Sequence, residues 1–325
     1  MAIPAGTITE AFRRQYSDNF NQVYQQTESE LESLIRKDTQ QAEWKSWDFI
    51  GTTSGNWDRS RQAQTVHTAL PHMRRWNKQK SWTWSPDLID DLDVLEAMKS
   101  PQSDYIKSGV ASSKRALDEL ILQRLGAAVT AGKDADKTIN YYDVGECTVM
   151  ASDGTFATAG SAEAAKGTGY TGLTLTKIAN IGLKFDNLSI PQTDRHIVAN
   201  ADQKWSLLTS TQVTSSDYNT VKALVNGSLN SYLGFQFHWL PTERFVVNAV
   251  ELASSAAYPC IDTWAFHRDS VLMTTGKTLD TRIDQLPDYN YAVQVWAEMM
   301  LGAIRLQGAG VAKIVLKTSP TPTFS

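Results

Sequence analysis

Between Thr7 and Ile50 the chain has no glycine or proline, and Phe12, Tyr16, Phe20, Val23, Leu31, Leu34 and Ile35 recur at close to helical spacing. The pattern predicts a long amphipathic N-terminal helix, capped at Thr7 or Thr9, with a polar face dense in Gln and Glu. Such a helix has little chain on one side to cover its apolar stripe, so it is expected to pack on a neighbour or wrap over the body. From Gly51 to Trp84 the pattern turns extended: TVHTAL and SWTWS alternate with period two, with turn signals at GTTSGN and Pro71. A hairpin-like excursion is expected there. Ser100 and Pro101 then supply an N-cap and a proline at the first helical position. The helix they open carries Ile106, Val110, Leu117, Leu120, Ile121, Leu125 and Ala128 and is expected to end at Gly132. At ~1.5 Å per residue, about thirty residues make a rod of roughly 45 Å, long enough to brace a domain.

Residues 133 to 172 are rich in Gly, Ala, Thr and Ser, with short strand candidates from Tyr141 to Met150. A further helix is expected from Thr174 to Leu188, with Leu175, Ile178, Gly182 and Phe185 on one face, stopping before Pro191. Then RHIVAN, LGFQFHWLP and RFVVNAVE read as strands, with a helical stretch from Asp217 to Val225 between the first two. At the C-terminus YAVQVWAEMMLGAIRL alternates, Gly308 to Gly310 turns, and VAKIVLK returns, which predicts a long hairpin and a polar tail. No internal repeat occurs at solenoid or propeller periods. The architecture is α+β, with the longest helices in the first half and antiparallel strands mainly in the second.

Composition narrows the class. The 325 residues are 42% hydrophobic and 20% charged, which excludes disordered, collagenous and coiled-coil chains and suits one large domain or two ordinary ones. At least two domains are expected. Cys147 and Cys260 cannot build a disulfide framework, and no secretory h-region or membrane span occurs, so cytosolic synthesis is expected.

The net charge of −4 hides a pattern. From Arg59 to Pro86 stand Arg59, Arg61, Arg74, Arg75, Lys78 and Lys80, with no acid. The next eighteen positions hold Asp87, Asp90, Asp91, Asp93, Glu96 and Asp104 against Lys99 alone. Six of the ten tryptophans (Trp44, Trp47, Trp57, Trp76, Trp82 and Trp84) fall inside this otherwise polar part of the chain. Trp and Arg together mark interface hot spots, so one reading is a projecting loop that docks on another subunit. A second is single-strand nucleic-acid binding through RRWNKQKSWTW, which interleaves cations with stacking rings. The third is a local hairpin whose tryptophans fold back on their own domain.

Catalytic and cofactor signatures are weak. Gly167, Gly169 and Gly172 match GxGxxG ahead of a helix, but SAEAAK before them is no strand and no βαβ unit surrounds them. No Walker, HExxH, CxxC or GxSxG sequence occurs. The five histidines are scattered, and the Asp87 to Asp93 cluster lacks the glycine and glutamate of an EF-hand. Cys260 near His238 and His267 invites a thiol nucleophile, against which stands the commoner buried cysteine. No catalytic residue, cofactor or metal site is assigned.

The order of several short motifs carries a resemblance. Gln15-Tyr16, Phe20, Gln25-Gln26 and Ser29 open the chain. Arg74-Arg75 precede Asp87 and Asp90, and Pro101, Ser103 and Tyr105 open the helix bearing Arg115 and Asp118. Leu175 to Pro191 with Arg195 and Val198, Gly227 with Gly234-Phe235, and Gly302-Ala303, Arg305, Gly310-Val311 and Ile314 follow in order. In this the chain resembles the major capsid protein of tailed bacteriophages, with the Hong Kong 97-like fold. The resemblance implies an N-arm over residues 1–45, an extended E-loop over 46–98, and a peripheral domain with its spine helix over 99–189. It further implies an axial domain over 190–285 and a return to the peripheral domain over 286–325. It implies pentamers and hexamers closing into an icosahedral shell around double-stranded DNA. Arg59, Arg61, Arg74, Arg75, Trp76, Trp82, Trp84, Asp87, Asp90 and Asp91 become candidate inter-subunit contacts. Further implied partners are a separate scaffolding protein, since the first helix begins near Met1, with a portal and a cement protein. DNA contact is expected to be weak, given the charge, with no membrane and no covalent cross-linking. The virion is the implied location, and the host cytoplasm during assembly.

Overall fold

The structure, a computed structural model, describes residues 26–53, 69–85, 102–157, 171–208, 231–245, 247–251, 257–289 and 291–318. The predicted N-terminal helix up to residue 25 and the helical stretch from Asp217 to Val225 lie outside these. From residue 26 onward the helix expectation is overturned. Residues 31–35 form a turn, Arg36–Thr39 is strand β1, and Trp44–Ile50 is strand β2. Lack of glycine and proline permits a helix but does not demand one. The run WKSWDFI is aromatic-rich and finds an antiparallel partner in β3 (His72–Lys78), in register from Trp44↔Lys78 to Ile50↔His72.

Strand β4 (Lys80–Trp84) follows, then helix α1 (Gln102–Gly126), 25 residues and therefore about 37 Å long. It ends earlier than the expected Gly132, because Val129–Ala131 leaves it to become β5, which pairs with β3 and with β6 (Lys137–Ile139). Gly132, at φ +95°, makes the turn between β5 and β6 instead. The sheet order is β2-β3-β5-β6.

The largest sheet begins with β7 (Thr148–Met150). Helix α2 (Leu175–Asn187) follows close to its predicted bounds, with the Thr174 hydroxyl capping Lys177 N at 3.3 Å. Strand β8 (Arg195–Asn200), helix α3 (Ala201–Leu208), β9 (Ser231–Tyr232), β10 (Phe235–Leu240), β11 (Val247–Glu251) and β12 (Ala257–His267) come next. The chain then runs through β13 (Val271–Leu286), β14 (Ala292–Arg305) and β15 (Val311–Lys317). The large sheet has the order β7-β15-β12-β8-β10-β9, with β11 also on β12. The remaining four strands are ordered β1-β13-β14-β4.

The C-terminal hairpin is corrected by this order. The two stretches are strands, but β14 pairs with β13 and β4, whereas β15 pairs with β12 and β7. Two 3-10 turns, Arg268–Ser270 and Gly308–Gly310, send the chain from one sheet to the other and back. They are packed together: Leu306 N donates to Ser270 O at 2.8 Å, and a Cβ on Gly310 would collide with Ser270 Oγ. Period-two alternation reports a half-buried strand and not its partner. Hydropathy does not reveal the outer half of β13, which is exposed on both faces and shows no alternation.

One apolar cluster joins the layers. Leu31 and Ile35 meet Leu117, Ile121 and Leu125 of α1, and Ile178, Ile181 and Phe185 of α2. The same cluster takes in Ile197, Phe235, Phe266, Val311 and Ile314 from the large sheet. Each of these large side chains contributes about 1.5–3 kcal/mol by leaving water.

Candidate subunit interface

The β2–β3 ribbon sorts the charged and aromatic residues by strand alternation. On its outer face Asp48 stands opposite Arg74, Ser46 opposite Trp76, and Trp44 opposite Lys78. Arg74 grips Asp48 with two bonds, Nη2 to Oδ2 at 2.8 Å, and lies 5.8 Å from the centre of the Trp76 ring. That guanidinium holds the Asp48 carboxyl below its usual range. Lys78 sits 5.3 Å from the Trp44 ring and 3.0 Å from Glu43. Trp76 is half-buried and its Nε1 donates to Gly132 O at 2.8 Å. Towards the end of the ribbon, Ile50, Leu70 and Met73 are 66%, 45% and 51% exposed.

The inner face is structural. Trp47 and Phe49 pack on Val129, Leu272, Ile304 and Leu306. Arg75, expected at a subunit contact, is 4% exposed and bonds to Glu146 and, at 3.0 Å, to Arg305 O. Its neighbour Arg74 is at the surface because consecutive strand residues face opposite ways. Arg305 is fully buried, donating to Leu125 O at 2.7 Å and Ala127 O at 3.2 Å, where its charge also faces the C-terminal end of α1. Glu146 stands between the two arginines, 3.6 Å from Arg305 Nε.

The tryptophans of β4 fold back on the body. Trp82 packs against the main core, and a Cβ on Gly109 of α1 would come within 2.7 Å of the Trp84 ring. The fold-back reading thus describes Trp82 and Trp84, while Trp44, Arg74 and Trp76 remain at the outer face. Arg59, Arg61, Asp87, Asp90 and Asp91 lie outside the described residues. The nucleic-acid reading is not supported: Arg74 and Lys78 of its cationic run are paired with Asp48 and Glu43, Arg75 is buried against Glu146, and the neighbouring Lys45 is paired with Asp38. Sequence inspection missed this because the acids come from β1, β2 and the turn between them, ahead of the cationic run, or, for Glu146, from well after it.

A second cluster fastens the chain where the described part begins. Asp118, fully buried on α1, accepts from Gln26 Nε2 and Ser29 Oγ, and from the backbone of Glu30 and Leu31 at 3.2 Å each. Lys114 holds Glu32 at 2.9 Å and, with Lys37, keeps its carboxyl below the normal range. Gln26, Ser29 and Asp118 are marked in the sequence only through the resemblance. Neither hydropathy nor spacing marks a buried acid that caps a distant turn.

Elsewhere the polar groups are internal. Burial pushes the Cys147 thiol up to about 12 and also raises Cys260, so neither is an activated nucleophile. His196 Nδ1 lies 3.3 Å from His238 Nε2, and burial followed by the charge of His238 lowers His196 to about 4. Lys177 gives its ammonium to Ser152 O, Thr171 O and Gly172 O at 3.0 Å each, and burial lowers it to about 8. Among the described residues no three or more His, Cys, Asp or Glu groups stand where they could hold a metal ion, and no helix is long and apolar enough to cross a membrane. Gly167 and Gly169 of the glycine motif lie outside the described residues.

Known proteins share this arrangement. The overall fold is similar to the capsid of Helicobacter pylori bacteriophage KHP30, at TM-score 0.71 and 9% identity over 98% of each chain. It is also similar to the capsid of cyanophage P-SCSP1u, at TM-score 0.66 and 16% identity over 96% of this chain and 95% of that one. The capsid of Ralstonia phage GP4 matches at TM-score 0.65 and 13% identity, over 99% of this chain and all of that one (100%). No curated protein sequence matches. A family model described as phage capsid protein matches residues 8–317. Matched over nearly its whole length, the chain belongs to the phage capsid protein family.

Proposed function

We propose that this capsid protein assembles as pentamers and hexamers into an icosahedral shell enclosing the double-stranded DNA of a tailed phage. The observation that carries the reading is the outer end of the β2–β3 ribbon. There Ile50 on the outer face, Met73 on the opposite face and Leu70 before β3 are each exposed, at the tip of a ribbon whose outer face carries Trp44, Arg74 and Trp76. A ribbon tip with apolar side chains exposed on both faces, next to an aromatic and charged surface, suits a contact that a second copy covers. Many such modest contacts, repeated around closed symmetry, add up to a stable shell.

In this reading the chain up to residue 45 is an N-arm fastened at Asp118, residues 46–98 are an E-loop rooted on β2 and β3, and α1 is the spine helix. The β13–β14 pair with β1 and β4 makes the peripheral sheet, and the large sheet with α2 and α3 makes the axial domain. That places the change of domain at the turns 268–270 and 308–310, and assigns β15 to the axial side. A separate scaffolding protein, a portal and a cement protein are the remaining partners, with DNA held weakly and without sequence preference. The protein's work is structural, and no catalytic step is assigned to it. Electron microscopy of the expressed protein, alone and with its scaffold, tests the reading. Shells or capsomers are expected from the natural chain and none from Ile50→Asp/Met73→Asp of unchanged fold. A natural chain that stays monomeric under both conditions overturns it.

A further inference from the structure

The outer half of the β13–β14 pair stands alone. Strand β1 covers β13 only from Leu272 to Thr275, and β4 covers β14 only from Ala297 to Leu301. Beyond them residues 282–286 pair with 292–296 and, among the described residues, with no other strand. A two-stranded ribbon is marginal in water, and its open edges invite a further chain. Its tip, closed by Tyr291 N donating to Leu286 O at 3.0 Å, is aromatic and acidic. Ile283, Tyr289 and Tyr291 are exposed, and from Ile283 to Trp296 the chain carries Asp284 and Asp288 with no lysine or arginine. Neither acid makes an ion pair among the described residues.

At the other end of the same two strands a cleft of about 710 Å³ opens beside the paired sheet-to-sheet turns, a volume in the range of sites that enclose a ligand or a few side chains. Ile35, Phe49 and Leu306 supply its apolar surface. Its charges are Arg36, Lys37, Arg268 and the single acid Asp269, all exposed. Glu32 answers Lys37 at 2.9 Å, whereas Arg36 and Arg268 make no ion pair among the described residues. The cleft therefore keeps an excess of positive charge over an apolar base.

We propose that the β13–β14 tip of one copy seats in this cleft of a second copy. Tyr289 and Tyr291 meet the apolar base, and Asp284 and Asp288 answer Arg36 and Arg268. Opposite charge around matched apolar surface is what such a contact needs. A copy cannot serve itself. Strand β13 runs 16 residues from Val271, beside the cleft, to Leu286 at the tip, a separation of about 50 Å at ~3.3 Å per residue. Two complementary sites at opposite ends of one strand pair make a head-to-tail contact, the type that closes into rings when the rotation permits. The same contact gives the lone ribbon the cover that its own chain withholds. The inference rests on the reading that copies of this chain assemble, and adds which surfaces join them.

The test places the photo-cross-linker p-benzoylphenylalanine at Tyr289, or at Tyr291 if the first variant folds poorly. Isotope-labelled and unlabelled full-length chains are mixed under assembly conditions and irradiated, and the joined peptides are identified by mass spectrometry. Mixed-isotope cross-links to residues 33–37, 268–269 or 306–307 support the seating. Asp284→Lys/Asp288→Lys is expected to lower their yield at least about tenfold, because like charges then face each other. Adding Arg36→Glu/Arg268→Glu to the same chain is expected to restore it, which a merely misfolded tip would not allow. Same-isotope cross-links alone, cross-links to another segment or to nucleic acid, or none in assembled shells overturn the seating and leave the shell reading standing. A natural chain that stays monomeric overturns both.

Discussion

Asp118 gives the sharpest test of how the chain is fastened. Its two carboxylate oxygens accept four hydrogen bonds from residues 26–31, and it has no exposed surface. Asp118→Ala leaves the Glu30 and Leu31 amides without acceptors, at about 1–3 kcal/mol each, together with the Ser29 hydroxyl and Gln26 amide. Asp118→Asn keeps one oxygen and turns an NH₂ toward the other pair of donors, so about half of that loss is expected. Complete release of the segment would also expose Leu31 and Ile35, at 0% and 1% exposure, and cost a further 1.5–3 kcal/mol, roughly, for each. The segment is therefore expected to fray at 26–31 while Leu31 and Ile35 hold its far end. Amide hydrogen exchange reads this directly. A loss of about 3 kcal/mol corresponds to roughly a hundredfold faster exchange at Glu30 and Leu31 in Asp118→Ala, with Asp118→Asn intermediate and the middle of α1 unchanged. Wild-type exchange at both amides in Asp118→Ala would refute the capping argument. Uniform acceleration through α1 would refute the local one.

Three further outcomes follow from buried contacts. Glu146→Gln removes the negative charge between Arg75 and Arg305, and should lower stability by about 3–5 kcal/mol; a urea midpoint unchanged at constant slope would contradict this. His196, lowered to about 4, stays neutral in the folded chain while the unfolded chain takes up a proton below its ordinary value of 6.5. Stability is thus full above pH 6.5 and is lost as pH falls toward 4, by up to about 3 kcal/mol from this group, and His196→Gln should flatten that part of the stability–pH curve. Gly310→Ala forces a methyl onto Ser270 Oγ at the paired sheet-to-sheet turns. It should lower Tm in step with a loss of about 1–3 kcal/mol, partly restored by adding Ser270→Gly; no change in Tm would mean the turns can separate freely.

The segments that are legible in the sequence share one property: their signal is local. Thr174 capping an amphipathic run predicts α2 to within a residue at each end, and Ser100-Pro101 marks the start of α1. RHIVAN, SWTWS and the alternation of Val295, Ala297 and Met299 are strands, as their patterns predict. The misreadings arise where two distant pieces compete for the same chain. WKSWDFI is a strand because β3 waits for it, and Val129–Ala131 leaves α1 because β3 offers its other edge.

Charge behaves in the same way. The sequence alone establishes that a cationic and an acidic stretch adjoin amid clustered tryptophans, which rules out a uniform surface and points toward a partner. Only the tertiary structure decides that Arg74 faces outward with Asp48 while Arg75 is buried against Glu146, and that β14 and β15 part into different sheets. The reason is physical. Propensity, capping and periodicity act over a few residues and are written into neighbours along the chain. Strand partners and buried ion pairs depend on which surfaces meet after the chain has crossed between sheets at Ser270 and Gly310.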